Sequence, residues 1–359
     1  MPSLFDPISL GAIECPNRVV MAPLTRGRAD ARGVHGPLAV DYYRQRASAG
    51  LIISEGTGIS REGLGWPYAP GLWSEEQVEG WKPVTEAVHE AGGRIVAQLW
   101  HMGRLVHPDL GDGQPVSASA TAGPHRLHTY EGKKDPVEAK ALSKDEIARV
   151  VGDYAHAAAN AIRAGFDGVQ VHGANGYLVD QFLRANQRDD EYGGSAENRA
   201  RFVREVLEGV AAAVGTARTA IRFSPIGEVN GCDDPDPEGL FTAVARVLED
   251  LSIPWIEMRE PGEESTFVGT DEDRVSPAMR KVYSGMIGLN SDLRCDSGQA
   301  LLDEGICDFI AYGRPFISNP DLVRRFRDGA PLADWNPKTF YSRGPEGYND
   351  YPTLEEAKA

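Results

Sequence analysis

Cysteine is scarce in this sequence. There are four in 359 residues, at positions 15, 232, 295 and 307, and none forms a C-x-x-C pair. A zinc ribbon and a cysteine-ligated iron–sulfur cluster need closely spaced thiolates, so both are excluded and no metal site is expected. Few, scattered cysteines suit a reducing compartment, and a cytoplasmic location is expected. Long apolar runs are missing as well. No stretch approaches the ~20 apolar residues of a membrane span, and the start, Met1-Pro2-Ser3-Leu4-Phe5-Asp6, has neither the basic nor the apolar region of a signal peptide. Positive charge is in the minority, with 37 Lys+Arg against 53 Asp+Glu and a net charge of −16. That field repels nucleic acid and anionic membrane, so neither is expected as a partner. An anionic cofactor would need local arginine or lysine to overcome it. Neither G-x-x-x-x-G-K nor G-x-G-x-x-G occurs, so the P-loop and dinucleotide-fold modes of nucleotide binding lack their signatures.

What the sequence does have is a repeating alternation. Eight short apolar or β-branched runs lie at 18–23, 51–55, 94–100, 168–172, 219–224, 255–259, 286–290 and 309–313. Segments of helical period fall between them, at 77–91, 144–164, 197–214, 237–250 and 321–327. Strand–helix alternation implies parallel strands joined by helical crossovers, and eight units in this length predict a (β/α)8 TIM barrel as a single domain over 1–359. Leu4 to Cys15 is expected to form a short hairpin closing the barrel bottom. The stretch from Trp100 to about Ser143 has little helical period and is rich in His, Gly, Pro and Ser, which predicts a long excursion after strand 3 over the active face. Residues 231–236 and 260–277 read as two further loops.

Residues at the C-terminal ends of barrel strands face the active site. Here those ends supply Thr25, Gly56, Gln98, Trp100, His172, Arg222, Asn290-Ser291-Asp292 and Gly313-Arg314. Gln98, His172 and Arg222 sit inside otherwise apolar runs and are costly to bury unpaired. A planar polar ligand would satisfy them, and so would hydrogen bonds within the barrel. The loops after strands seven and eight commonly cradle a phosphate, and Gly313-Arg314 offers close backbone approach and a cation there. An ordinary turn with a surface arginine fits the same residues. A Schiff-base enzyme needs a desolvated lysine near the strand ends, yet none of the eight lysines falls in any of the eight runs. His101, His107, His125 and His128 lie in the excursion and read as solvated loop histidines rather than zinc ligands.

The segment Val171-His172-Gly173-Ala174-Asn175-Gly176-Tyr177-Leu178 resembles the H-x-A-N-G-Y-L signature of the Old Yellow Enzyme family. So does Asp190-Glu191-Tyr192-Gly193-Gly194-Ser195-Ala196-Glu197-Asn198-Arg199. Asn17-Arg18 with 21–26, 97–104, 309–315 and Asn349-Asp350-Tyr351-Pro352 also match, in order along almost the whole chain. The resemblance implies an FMN-dependent barrel enzyme that reduces activated alkenes with NADPH or NADH.

Carried over residue by residue, it makes Thr25 the hydroxyl on the flavin C4 carbonyl and Gln98 a contact of the flavin pyrimidine. Arg222 becomes the cation beside flavin N1 and C2, where negative charge gathers on reduction. Pro23, Leu24 and Gly56 become backbone contacts of the ring, and Ser291, Asp292, Gly313 and Arg314 the phosphate cradle. His172 and Asn175 are similar to the pair that donates hydrogen bonds to the substrate's carbonyl or nitro oxygen. Tyr177 resembles the proton donor to Cα. Trp66, Trp100 and Tyr351, with Asn230 and Ile226, are expected as pocket walls. A monomer or homodimer is expected. Reduction of nitro groups or nitrate esters by the same flavin, and flavin binding as a redox sensor without turnover, remain open on the sequence alone.

Overall fold

Each of the eight apolar runs becomes a strand in the computed structural model, which describes residues 2–358. Met1 and Ala359, the two ends of the expected domain span, lie outside the described residues. The strands are β1 (Val19–Met21), β2 (Leu51–Gly58), β3 (Ile95–Trp100), β4 (Gly168–Gly173), β5 (Thr219–Phe223), β6 (Trp255–Arg259), β7 (Met286–Asn290) and β8 (Phe309–Tyr312). They pair in parallel and in sequence order, and the sheet closes on itself between β8 and β1. The expected TIM barrel is therefore the observed architecture.

The predicted helices form at Glu75–Glu90, Lys144–Arg163, Ala196–Val214, Pro237–Asp250 and Leu322–Asp328. Their starts are set by local chemistry. Ser74 and Ser143 close capping boxes with Gln77 and Glu146, and Asp236 caps a helix whose first residue is Pro237. Five further helices, Pro37–Arg44, Leu178–Arg184, Ser276–Arg280, Cys295–Asp303 and Arg314–Ser318, are too short to show a repeating apolar stripe. The loop expected over 260–277 runs into the third of these.

The N-terminal hairpin pairs Ile8–Leu10 with Ile13–Cys15. Ile8, Leu10 and Ile13 join Val20, Leu51, Ile53, Val96, Ala220, Trp255 and Phe309 in one buried cluster, which plugs the barrel interior as expected. The excursion after β3 is less irregular than its sequence. It holds a 3-10 turn at Gly103–Leu105, a hairpin of Leu127–Thr129 with Gly132–Lys134, and a two-residue ladder of Val116–Ser117 with Lys140–Ala141. Among the described residues no helix is long and apolar enough to cross a membrane.

Candidate active site

Barrel register brings the polar strand residues to adjoining levels. Gly56 lies beside Gln98 and Gln98 beside Gln170; His172 lies beside Arg222 and Arg222 beside Glu257. The result is a continuous chain of hydrogen bonds, buried as far as Arg222 and half-buried at Asn290. Gln98 Nε2 donates to Gln170 Oε1 at 2.8 Å, and Gln170 Nε2 donates to Glu257 Oε2 at 3.0 Å. Arg222 donates from Nε to Glu257 Oε1 and from Nη2 to Asn290 Oδ1, each at 2.9 Å. Asn290 Nδ2 donates in turn to the Ala311 carbonyl at 2.7 Å. Gln170 and Glu257 are not among the residues expected from the sequence. Their signal was present: each is a polar residue at an inward position of a strand whose neighbours are apolar.

An aromatic wall stands beside this chain. The Trp100 ring lies so close to Gly56 that a β-carbon there would be 2.6 Å from Cε3. Trp100 stacks near His172 at 6.1 Å between centroids and meets Tyr177 edge-on at 5.0 Å. His172 and Tyr177 meet edge-on at 4.9 Å. Trp66, like Tyr177, packs on the cluster that holds Trp100, and is flanked by His128 at 4.3 Å and Tyr341 at 4.9 Å.

His172 Nδ1 accepts the Ala174 N–H at 3.3 Å, so in the neutral ring the proton is on Nε2. Burial, and secondarily the Arg222 cation, hold its pKa well below the usual 6.5 and keep the ring neutral. Burial raises the Tyr177 hydroxyl above its usual 10, which keeps it protonated.

Asn175 takes a left-handed backbone, φ 59°, that asparagine tolerates. Its N–H donates to Ser224 Oγ at 2.7 Å, and its carbonyl accepts from Asn230 Nδ2 at 2.9 Å. Its side-chain Oδ1 is buried without a partner. The start of the helix Leu178–Arg184 braces this loop, since Asp180 Oδ2 accepts the Gly176 N–H at 2.8 Å while Oδ1 pairs with Arg184.

A cavity of about 800 Å³ opens beside these groups, at the C-terminal ends of β1 and β5 to β8. Pro23, Leu24, Asn175, Arg222, Ser291, Asp292, Gly313 and Arg314 all contribute to its lining. Ser291 and Asp292 both have positive φ, at 156° and 44°. The Asp292 carboxylate turns to the loop after β6, accepting from Ser265 Oγ and from the Thr266 N–H at 2.7 Å. Arg314 pairs with that carboxylate at 3.5 Å and with the Thr266 hydroxyl. The backbone N–H groups of Ser291, Asp292, Gly313 and Arg314 make no hydrogen bond among the described residues. Two successive turns thus present free N–H donors beside a guanidinium, the makings of an anion site.

Comparison with known proteins settles the family. The profile of the NADH:flavin oxidoreductase / NADH oxidase family matches residues 3–333. The chain belongs to this family, that of the Old Yellow Enzymes. The Old Yellow Enzyme homologue from Zymomonas mobilis superposes with a TM-score of 0.97 at 54% identity, over 98% of this chain and 100% of that one. Morphinone reductase in complex with tetrahydroNAD superposes with a TM-score of 0.93 at 43% identity, over 100% of this chain and 99% of that one. A relative from Leishmania infantum, described as a probable flavin mononucleotide-dependent alkene reductase, is 40% identical over 98% of this chain and 97% of its own.

As an Old Yellow Enzyme, the chain must accept a flavin, and its free groups fit one. Gln98 spends one N–H on Gln170, leaving its carbonyl oxygen and the other N–H for a pyrimidine edge. Arg222 supplies a cation two residues beyond Ala220, the β5 residue in register with Gln170, and Gly56 leaves room for the Trp100 ring. Thr25 is half-buried on the segment after β1, which Glu55 fixes by accepting the N–H groups of Arg26 and Gly27, each at 3.0 Å.

Three expectations need revision. His101 and His107 are buried, not solvated; His101 Nδ1 accepts the Gly103 N–H at 3.0 Å and so shapes the turn after β3. Ile226 is fully buried in the main core. Tyr351 lies on the C-terminal segment with its hydroxyl accepting the Asn336 N–H at 3.0 Å, whereas Tyr341 is the C-terminal aromatic that meets Trp66.

Proposed function

We propose that this chain is an FMN-dependent ene-reductase. In this reading it reduces the C=C bond of enals, enones, imides or nitroalkenes with NADPH or NADH. FMN held by these residues would supply the hydride chemistry between the nicotinamide and Cβ of the alkene, the two substrates using one pocket in turn.

The chain's own residues do the rest. His172 Nε2–H and the Asn175 amide donate to the carbonyl or nitro oxygen of the substrate. Together they draw electron density from the conjugated bond and stabilise the enolate-like charge, each such donor being worth ~10²–10³ in rate. Tyr177 hands its proton to Cα from the opposite face. Thr25, Gln98 and Arg222 hold the ring of the cofactor, and Ser291, Asp292, Gly313 and Arg314 its phosphate. Trp66 and Trp100 narrow the pocket and exclude water. The barrel acts as one FMN-binding domain of a cytoplasmic enzyme, monomeric or homodimeric.

The observation that carries this reading is the set of uncommitted polar groups at the end of β4. The Asn175 side-chain oxygen is buried without a partner, His172 uses only Nδ1 within the protein, and the Tyr177 ring meets His172 edge-on at 4.9 Å. A phenol bound over the flavin reports on His172 and Asn175 by its long-wavelength charge-transfer band. The band is expected in the wild type and lost in His172→Ala with Asn175→Ala. An undiminished band in the double variant contradicts the oxygen-binding roles.

A further inference from the structure

Arg259 ends β6, beside Asn290 in register, and lines the same cavity as Ser291, Asp292 and Arg314. It is only 4% exposed. Its Nη2 donates to the carbonyls of Phe267 and, at 3.3 Å, Val268, and its guanidinium lies 4.7 Å from the centre of the Phe267 ring. Its Nη1 is buried and has no partner.

The charges around it are unbalanced. Arg222 is neutralised by Glu257, and Arg314 is paired with Asp292. Arg259 forms no ion pair among the described residues. Burial lowers its pKa to about 10, with Arg222, Arg184 and Arg314 acting in the same direction and Asp292 opposing them. A buried guanidinium with an idle N–H among other cations is unfavourable unless an anion joins it. The turns beside it already present unpartnered backbone N–H groups.

We propose that Arg259 is a further ligand of the cofactor's phosphate monoester, reached by its Nη1 and sharing that dianion with Arg314 and the turns after β7 and β8. The proposal rests on the flavin reading. Arg259 has a second role in it. Through Nη2 it fastens the loop after β6, whose Thr266 already contacts Arg314, over the phosphate end.

Riboflavin is FMN without the phosphate, so the two ligands isolate this contact. Flavin-stripped wild type, Arg259→Met and Arg259→Lys would each be titrated with FMN and with riboflavin, following the quenching of flavin fluorescence. Arg259→Met is expected to bind FMN roughly ten- to hundredfold more weakly, as befits a charge-assisted hydrogen bond, and riboflavin as the wild type does. Arg259→Lys, which keeps the charge, is expected to recover part of the FMN affinity. Undiminished FMN affinity in Arg259→Met, or an equal loss for both ligands, overturns the phosphate contact while leaving the flavin reading in place. Wild type that takes up neither ligand overturns the flavin reading and this proposal with it.

Discussion

Glu257 holds Arg222 with one carboxylate oxygen and Gln170 with the other, at 2.9 and 3.0 Å. One buried group thereby orients both side chains proposed to meet the pyrimidine end of the flavin: Arg222 directly and Gln98 through Gln170. Removing the carboxylate strands a buried guanidinium. Glu257→Leu should lower the unfolding free energy of the flavin-free protein by about 3 kcal/mol, measured by urea denaturation. A loss near zero would show that Arg222 finds compensation elsewhere.

Gly56 and Trp100 make a second coupled pair. A methyl at position 56 would stand 2.6 Å from a rigid ring atom. Gly56→Ala should cost roughly 1–3 kcal/mol of stability through overpacking, and Trp100→Phe in the same chain should restore part of it. A double-mutant cycle measures this coupling; strictly additive losses would mean the two positions are independent.

The role proposed for Tyr177 is to give a proton to Cα. Tyr177→Phe should slow reoxidation by an enone on the order of 10²-fold while leaving reduction by NADPH nearly unchanged. Stopped-flow spectroscopy separates the two half-reactions. Equal losses in both would remove Tyr177 from the acid role.

The pH dependence follows from two shifts of opposite direction. His172 has its pKa lowered from 6.5 by burial and Arg222, so its protonated form gathers only in acid. Tyr177 has its pKa raised from 10 by burial, so its deprotonated form gathers only in strong alkali. Both stay neutral from pH 6 to 8, and the rate of enone reduction should be flat across that window. A break near pH 6.5 that disappears in His172→Asn would contradict the assignment.

Much of this was legible in the sequence because barrel strands and long amphipathic helices have periods that a chain displays openly. All eight strands fall on the expected runs, and the motif around His172 names its own residues. The hidden part depends on register. Gln170 is a lone amide in an apolar run until β3 sets Gln98 beside it, and Glu257 is an odd acid in an apolar run until β5 brings Arg222 within reach. His101 and His107 misled because polar, aperiodic sequence resembles solvated loop, whereas this excursion folds back and buries them. Tyr341 was missed for a related reason: the chain shows where an aromatic lies, not which part of a C-terminal segment closes over Trp66.

The central claim is that these residues hold FMN and pass its reducing power to an activated alkene. One anaerobic titration tests it most directly. The purified protein should show flavin absorbance near ~450 nm, lose it on adding NADPH or NADH, and regain it when an enone replaces the nicotinamide. A protein that stays colourless with added FMN, or one that bleaches and does not recover its colour with any enone, nitroalkene or maleimide, would contradict the account.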